Sequence, residues 1–168
     1  MTDDARAGPF LYFSYGSNLD AARIRMHCPS ARLVTIARRE GYRLAFSAES
    51  KNTWHGGVGD MRPSPGDEVW GALWLIDAAE SNALDEQEGL LRVPPVYERI
   101  TVEVTTPAGD TVRCRSYVVA DPNLEGFLPS PAYKETVLRG ARALGFPARY
   151  IELLEAVPDN GRTSGAER

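Results

Sequence analysis

The chain has 168 residues, 43% hydrophobic and 25% charged, which is ordinary usage for a single globular domain. That excludes a disordered, collagenous or coiled-coil chain. Nineteen basic against 23 acidic residues leave a net charge of −4. Such a chain has no general attraction for nucleic acid, and Arg38-Arg39 is only a pair. No stretch approaches 18 consecutive apolar residues, and Met1–Pro9 holds no apolar run, so neither a membrane span nor a secretory leader is expected. Cys28 and Cys114 are the two cysteines, which predicts reduced thiols and a cytoplasmic location. With His27 and His55 they make a poor ligand set, so no metal is expected.

In chain order, residues 10–14 (FLYFS) read as a buried strand. Tyr15-Gly16-Ser17-Asn18 ends it in a glycine turn, with Asn18 as the N-cap of a helix through Met26 that Pro29 stops. Residues 31–37 and 41–48 predict two strands, the second by strict alternation. Trp54-His55-Gly56-Gly57 is a joint. Pro65-Gly66-Asp67 predicts a turn between two further strands, the second covering Val69–Ile76. Asp77 predicts the cap of a helix over 78–88, closed by Gly89. Strands follow at 99–104 and 111–120 around Ala108-Gly109-Asp110. Ser130-Pro131 starts a helix that Gly145 ends, and a last helix covers 147–157. The expected organisation is a terminal segment 1–9, one domain over 10–157 and a mobile tail over 158–168. Hairpins with inserted helices favour an α+β fold or a mixed sheet closed into a small barrel over a doubly wound sheet.

Two places invite chemistry. A strand that ends in a glycine turn before a helix presents free N–H groups beside the positive end of the helix dipole. Tyr15–Asn18 therefore suits a carboxylate or a developing oxyanion, and equally suits an ordinary capped turn. Glu88 sits in the last turn of its predicted helix, at the negative end of the dipole, with Asp85 on the same face. Both effects raise its pKa, and a carboxylate there breaks a local rule. The bland alternative is a solvated acidic face. Ser17 lacks a nucleophile elbow and an obvious histidine base. Tyr97, Tyr117 and Tyr133 are either core packing or pocket hydroxyls.

Taken together the sequence resembles the γ-glutamylcyclotransferase family, in particular the cytosolic form acting on γ-glutamyl amino acids. The carrying segments are FLYFSYGSNL (10–19), TWHGG (53–57), SPGDEVWG (64–71), LDEQEG (84–89), CRSY (114–117) and PSPAY (129–133), in the family's order. The resemblance implies a small mixed β-barrel with peripheral helices, no metal or organic cofactor, and a small-molecule γ-glutamyl substrate. It leaves a homodimer open and implies neither nucleic acid nor membrane as a partner. It assigns acid/base work to Glu88, the glutamyl-holding loop to Tyr15, Gly16, Ser17 and Asn18, and cavity tyrosines to Tyr97, Tyr117 and Tyr133. The implied reaction is intramolecular aminolysis to 5-oxoproline and a free amino acid. A γ-glutamylamine-type enzyme releasing an amine and a non-catalytic γ-glutamyl-binding module are the alternatives. One departure stands out: Leu90–Val96 is proline-rich, about two residues longer than in the animal form, and directly follows the helix of Glu88, so it bears on the position of Tyr97 and the choice of leaving group.

Overall fold

The computed structural model describes residues 8–163. The outer parts of the two expected terminal segments, 1–7 and 164–168, lie outside the described residues. Five strands close into a barrel in the order β1-β3-β2-β4-β5. They are β1 (Phe10–Ser14), β2 (Arg32–Ser50), β3 (Gly56–Ile76), β4 (Tyr97–Thr105) and β5 (Thr111–Val119). Neighbours pair antiparallel except β1 and β5, which meet in parallel, so the barrel is mixed as expected. Four helices pack around it: α1 (Ala21–His27), α2 (Ser81–Gln87), α3 (Pro131–Leu144) and α4 (Ala148–Glu155). No helix among the described residues is long and apolar enough to cross a membrane.

Strand alternation divides the apolar residues between two cores. Phe13, Val69, Leu73, Val102, Val104 and Cys114 fill the barrel. Tyr12, Trp74, Ile24, Leu84, Val137 and Leu138 pack between barrel wall and helices. Phe13 and Tyr12, adjacent in β1, thus serve opposite faces.

Four expectations need correction. The strands at 31–37 and 41–48 are one strand, because Gly41 adopts φ 83° and lets β2 kink without leaving its ladder. The turn at 65–67 is an excursion within β3, where pairing with β2 jumps from Pro63 to Glu68. The first helix does not start at Asn18: Ser17–Leu19 form a 3-10 turn, and α1 begins after Asp20. The helix predicted over 78–88 is likewise a 3-10 turn (Ala78–Glu80) leading into α2, and the Asp77 side chain makes no capping bond. By contrast, Ser130 Oγ accepts from the Tyr133 N–H at 3.2 Å and Gly145 ends α3 at φ 71°, as Ser130-Pro131 and Gly145 predicted.

Both cysteines are buried and unpaired. Beyond α4, Asn160 donates to the carbonyls of Pro129 and His55, each at 2.9 Å, and so packs on the domain.

Candidate active site

The end of β1, the 3-10 turn and the end of α2 meet at one cavity of about 160 Å³. Tyr12, Tyr15, Gly16, Ser17 and Asn18 form one wall, and Gln87, Glu88 and Gly89 another. Tyr97 from β4, Tyr117 from β5 and Tyr133 from α3 complete it. Every residue singled out from the sequence for site chemistry lies on this cavity. It also takes Tyr12, Arg23, Trp54, Gly59 and Arg92, which sequence reasoning did not select as a group. Tyr12 and Trp54 fall inside segments that carry the resemblance, but only the folded chain brings the five together.

Glu88 is the C-cap of α2, its N–H donating to the Leu84 carbonyl at 3.1 Å. The residue is half-buried and lines the cavity. Oε1 accepts from the Tyr12 hydroxyl at 3.4 Å and from Asn18 Nδ2 at 3.5 Å. The carboxyl pKa is pushed up to about 7, and burial is the main cause. The Tyr12 hydrogen bond and the positive charge of Arg23 pull it back down. Asp85 adds a small upward push. The direction is the one read from the sequence, but Asp85 is not its main cause. The Asp85 carboxylate turns toward β4 and β5, accepting from Tyr117 Oη at 2.5 Å and pairing with Arg99 at 3.2 Å. Its charge is largely answered there.

Asn18 has a different task from the helix cap expected of it. The residue is buried, and its Nδ2 also donates to Tyr12 Oη at 3.1 Å. Its Oδ1 accepts from Gln87 Nε2 at 3.0 Å. The amide therefore ties the glycine turn to the end of α2. Gly16 is required by contact: a Cβ there would sit 2.6 Å from Tyr133 Oη. The tyrosines form a frame around this turn. Tyr15 Oη donates to the Tyr117 carbonyl at 2.6 Å, and Tyr97 Oη to the Gly59 carbonyl at 2.5 Å. No histidine lines the cavity, so Ser17 has no imidazole base beside it among the described residues.

Two guanidinium groups reach the same space. Arg23 lies over the Trp54 ring at 4.9 Å, with its Nε buried and unpartnered. Arg92 lines the cavity from the long loop after α2. Among the described residues neither forms an ion pair. The cavity can thus place one titrating carboxylate beside a flexible zwitterion and meet anionic groups with two cations.

Residues 68–154 match the model of the AIG2-like family. The chain is 42% identical to human γ-glutamylcyclotransferase over 157 residues, covering 92% of this chain and 81% of that protein. It is 40% identical to the Bos taurus γ-glutamylcyclotransferase over 154 residues, covering 90% of this chain and 80% of that one. A solved γ-glutamyl cyclotransferase structure superimposes with a TM-score of 0.86 at 41% identity, covering 92% of this chain and 91% of that one. A yeast cyclotransferase specific to glutathione shares the fold at TM-score 0.59 and 11% identity. Sequence identity above 40% over nine-tenths of the chain, carried on the same fold, makes this chain a member of the γ-glutamylcyclotransferase family.

Proposed function

We propose that the chain converts γ-glutamyl amino acids into 5-oxoproline and the free amino acid, with Glu88 as the acid and base. The observation that carries this reading is the Glu88 carboxylate on one cavity with the glycine turn, within reach of Tyr12 and Asn18. The nucleophile is the substrate's own α-amine, so the protein needs no activated serine or cysteine. Folding a flexible γ-glutamyl chain into an attack conformer can supply roughly 7–11 kcal/mol of the barrier.

Glu88 takes a proton from the α-ammonium, freeing the nitrogen pair that attacks the γ-carbonyl carbon. The carbonyl pair moves to oxygen and a tetrahedral intermediate forms. Glu88 delivers its proton to the departing nitrogen, takes the second from the ring nitrogen, and the old C–N bond breaks. The released amine recovers that second proton. Two protons have left one nitrogen and two have reached the other, so the carboxylate ends as it began. A pKa near the working pH suits a group that must both accept and donate.

The charge count supports an amino acid leaving group over a plain amine. A γ-glutamyl amino acid carries two carboxylates and one ammonium. Arg23 and Arg92 answer the carboxylates and Glu88 the ammonium. A γ-glutamylamine would leave one guanidinium without an anion.

Glu88→Gln tests the assignment. The amide is nearly isosteric and cannot carry the proton. Turnover, followed as 5-oxoproline released from γ-glutamyl-alanine, should fall by about 10³-fold or more. Release at a near-native rate would reject Glu88 as the proton carrier.

A further inference from the structure

Five tyrosine hydroxyls surround the cavity, and four of their hydrogens already have acceptors. Tyr12 donates to Glu88 and Tyr15 to the Tyr117 carbonyl. Tyr97 donates to the Gly59 carbonyl and Tyr117 to Asp85. Tyr133 differs. Its oxygen accepts the Gly59 N–H at 2.9 Å. The glycine turn packs beside the same oxygen, since a Cβ on Gly16 would lie 2.6 Å from it. Among the described residues, no hydrogen bond takes the hydrogen of Tyr133 Oη.

A phenol oxygen has one hydrogen and two lone pairs. With the Gly59 N–H on one lone pair and no acceptor for the hydrogen among the described residues, the hydroxyl can turn that hydrogen to the open side, which is the cavity. The ring is held still. Tyr133 is 3% exposed, and it meets Trp54 at 5.2 Å and Phe46 at 6.3 Å, both edge to face. The Ser130 cap at the start of α3 fixes its backbone.

We propose that the Tyr133 hydroxyl donates to the oxyanion that forms on the γ-carbonyl oxygen as the substrate closes. This rests on the cyclisation reading above and adds to it the group that receives the displaced electron pair. The Gly59 N–H orients the phenol, the glycine turn packs against it, and the phenol meets the charge. A preoriented donor of this kind is already aimed where charge develops, so it needs no reorganisation during reaction. Burial pushes the phenol up to about 12, so it keeps its hydrogen at ordinary assay pH.

The test uses the full chain with γ-glutamyl-alanine and two variants. Tyr133→Phe should melt as a folded protein, lose about 100-fold in kcat, and change KM little. The second replaces Tyr133 by 3,5-difluorotyrosine, which keeps both lone pairs and lowers the phenol pKa. Its kcat should fall at alkaline pH, where the wild type holds a plateau, because only the protonated phenol donates. A purely structural tyrosine would not move that limb. If Tyr133→Phe does not fold, the difluorotyrosine profile decides alone. A kcat for Tyr133→Phe within about threefold of wild type, or a difluorotyrosine profile that overlays the wild type, overturns the proposal. Wild-type protein that releases no 5-oxoproline overturns the cyclisation reading beneath it, a separate result.

Discussion

The Tyr12 hydroxyl reaches Glu88 Oε1 across 3.4 Å, a long bond from a residue 76 positions earlier. It opposes the burial that raises the carboxyl pKa. The catalytic reading needs the carboxylate form to start the reaction. The kcat/KM of the wild type should therefore rise with pH through about 7 and level off above it. Tyr12→Phe removes a bond that favours the charged form, so its acidic limb should move to higher pH. A limb that stays put would show that Tyr12 does not tune Glu88.

The same shift has a consequence for stability. The carboxyl of Glu88 has a folded pKa above its unfolded one, so the native state binds the proton more tightly. Its contribution is present below the unfolded pKa and is lost as pH rises through about 7. Glu88→Gln removes this titration. At pH 8 the variant should melt no lower than the wild type, while its turnover is gone. Thermal melts at pH 5 and pH 8 check both halves.

Ser17 lies on the cavity, but the nitrogen of the substrate does the attacking. Ser17→Ala should keep turnover within about tenfold of wild type, since the backbone N–H persists and only a hydroxyl is lost. Intact-mass spectrometry during turnover should show no acyl-enzyme. A covalent adduct on the wild type that vanishes in Ser17→Ala would replace the mechanism.

Arg92 is exposed on the loop after α2 and lines the cavity. If it meets the carboxylate of the leaving amino acid, Arg92→Gln should lower kcat/KM for γ-glutamyl-alanine about fivefold, the equivalent of about 1 kcal/mol. The matching γ-glutamyl-ethylamine lacks that carboxylate and should be nearly unaffected. Equal losses on both substrates would remove the role.

Gly140 lets α3 approach the 3-10 turn. A Cβ there would lie 2.5 Å from the Leu19 carbonyl carbon and 2.7 Å from the Asp20 nitrogen. Gly140→Ala has no slack in flexible side chains to exploit, because the obstruction is backbone. It should destabilise the protein by about 1–3 kcal/mol in denaturant melts and reduce turnover by displacing the turn that carries Asn18.

What the sequence by itself determined was local. Alternation located the strands, Ser130, Pro131 and Gly145 bounded α3, and LDEQEG put Glu88 at a helix end. These readings succeed because backbone preference and side-chain period act over a few residues. The kink at Gly41 escaped because a glycine can either end a strand or bend one, and only the partner strand decides. Asn18 escaped for a related reason: a short amide beside a helix start is a good cap, but Tyr12, Gln87 and Glu88 offered it better partners. The sequence named Asp85, which does raise Glu88, but not burial, the larger cause, because the residues that cover Glu88 come from other parts of the chain. The tertiary structure alone decided that Glu88 lines a cavity, that Arg23 and Arg92 share it, and that Tyr133 keeps one hydrogen to give. Desolvation and hydrogen-bond saturation depend on everything around a group, and barrel closure brings those surroundings from distant parts of the chain.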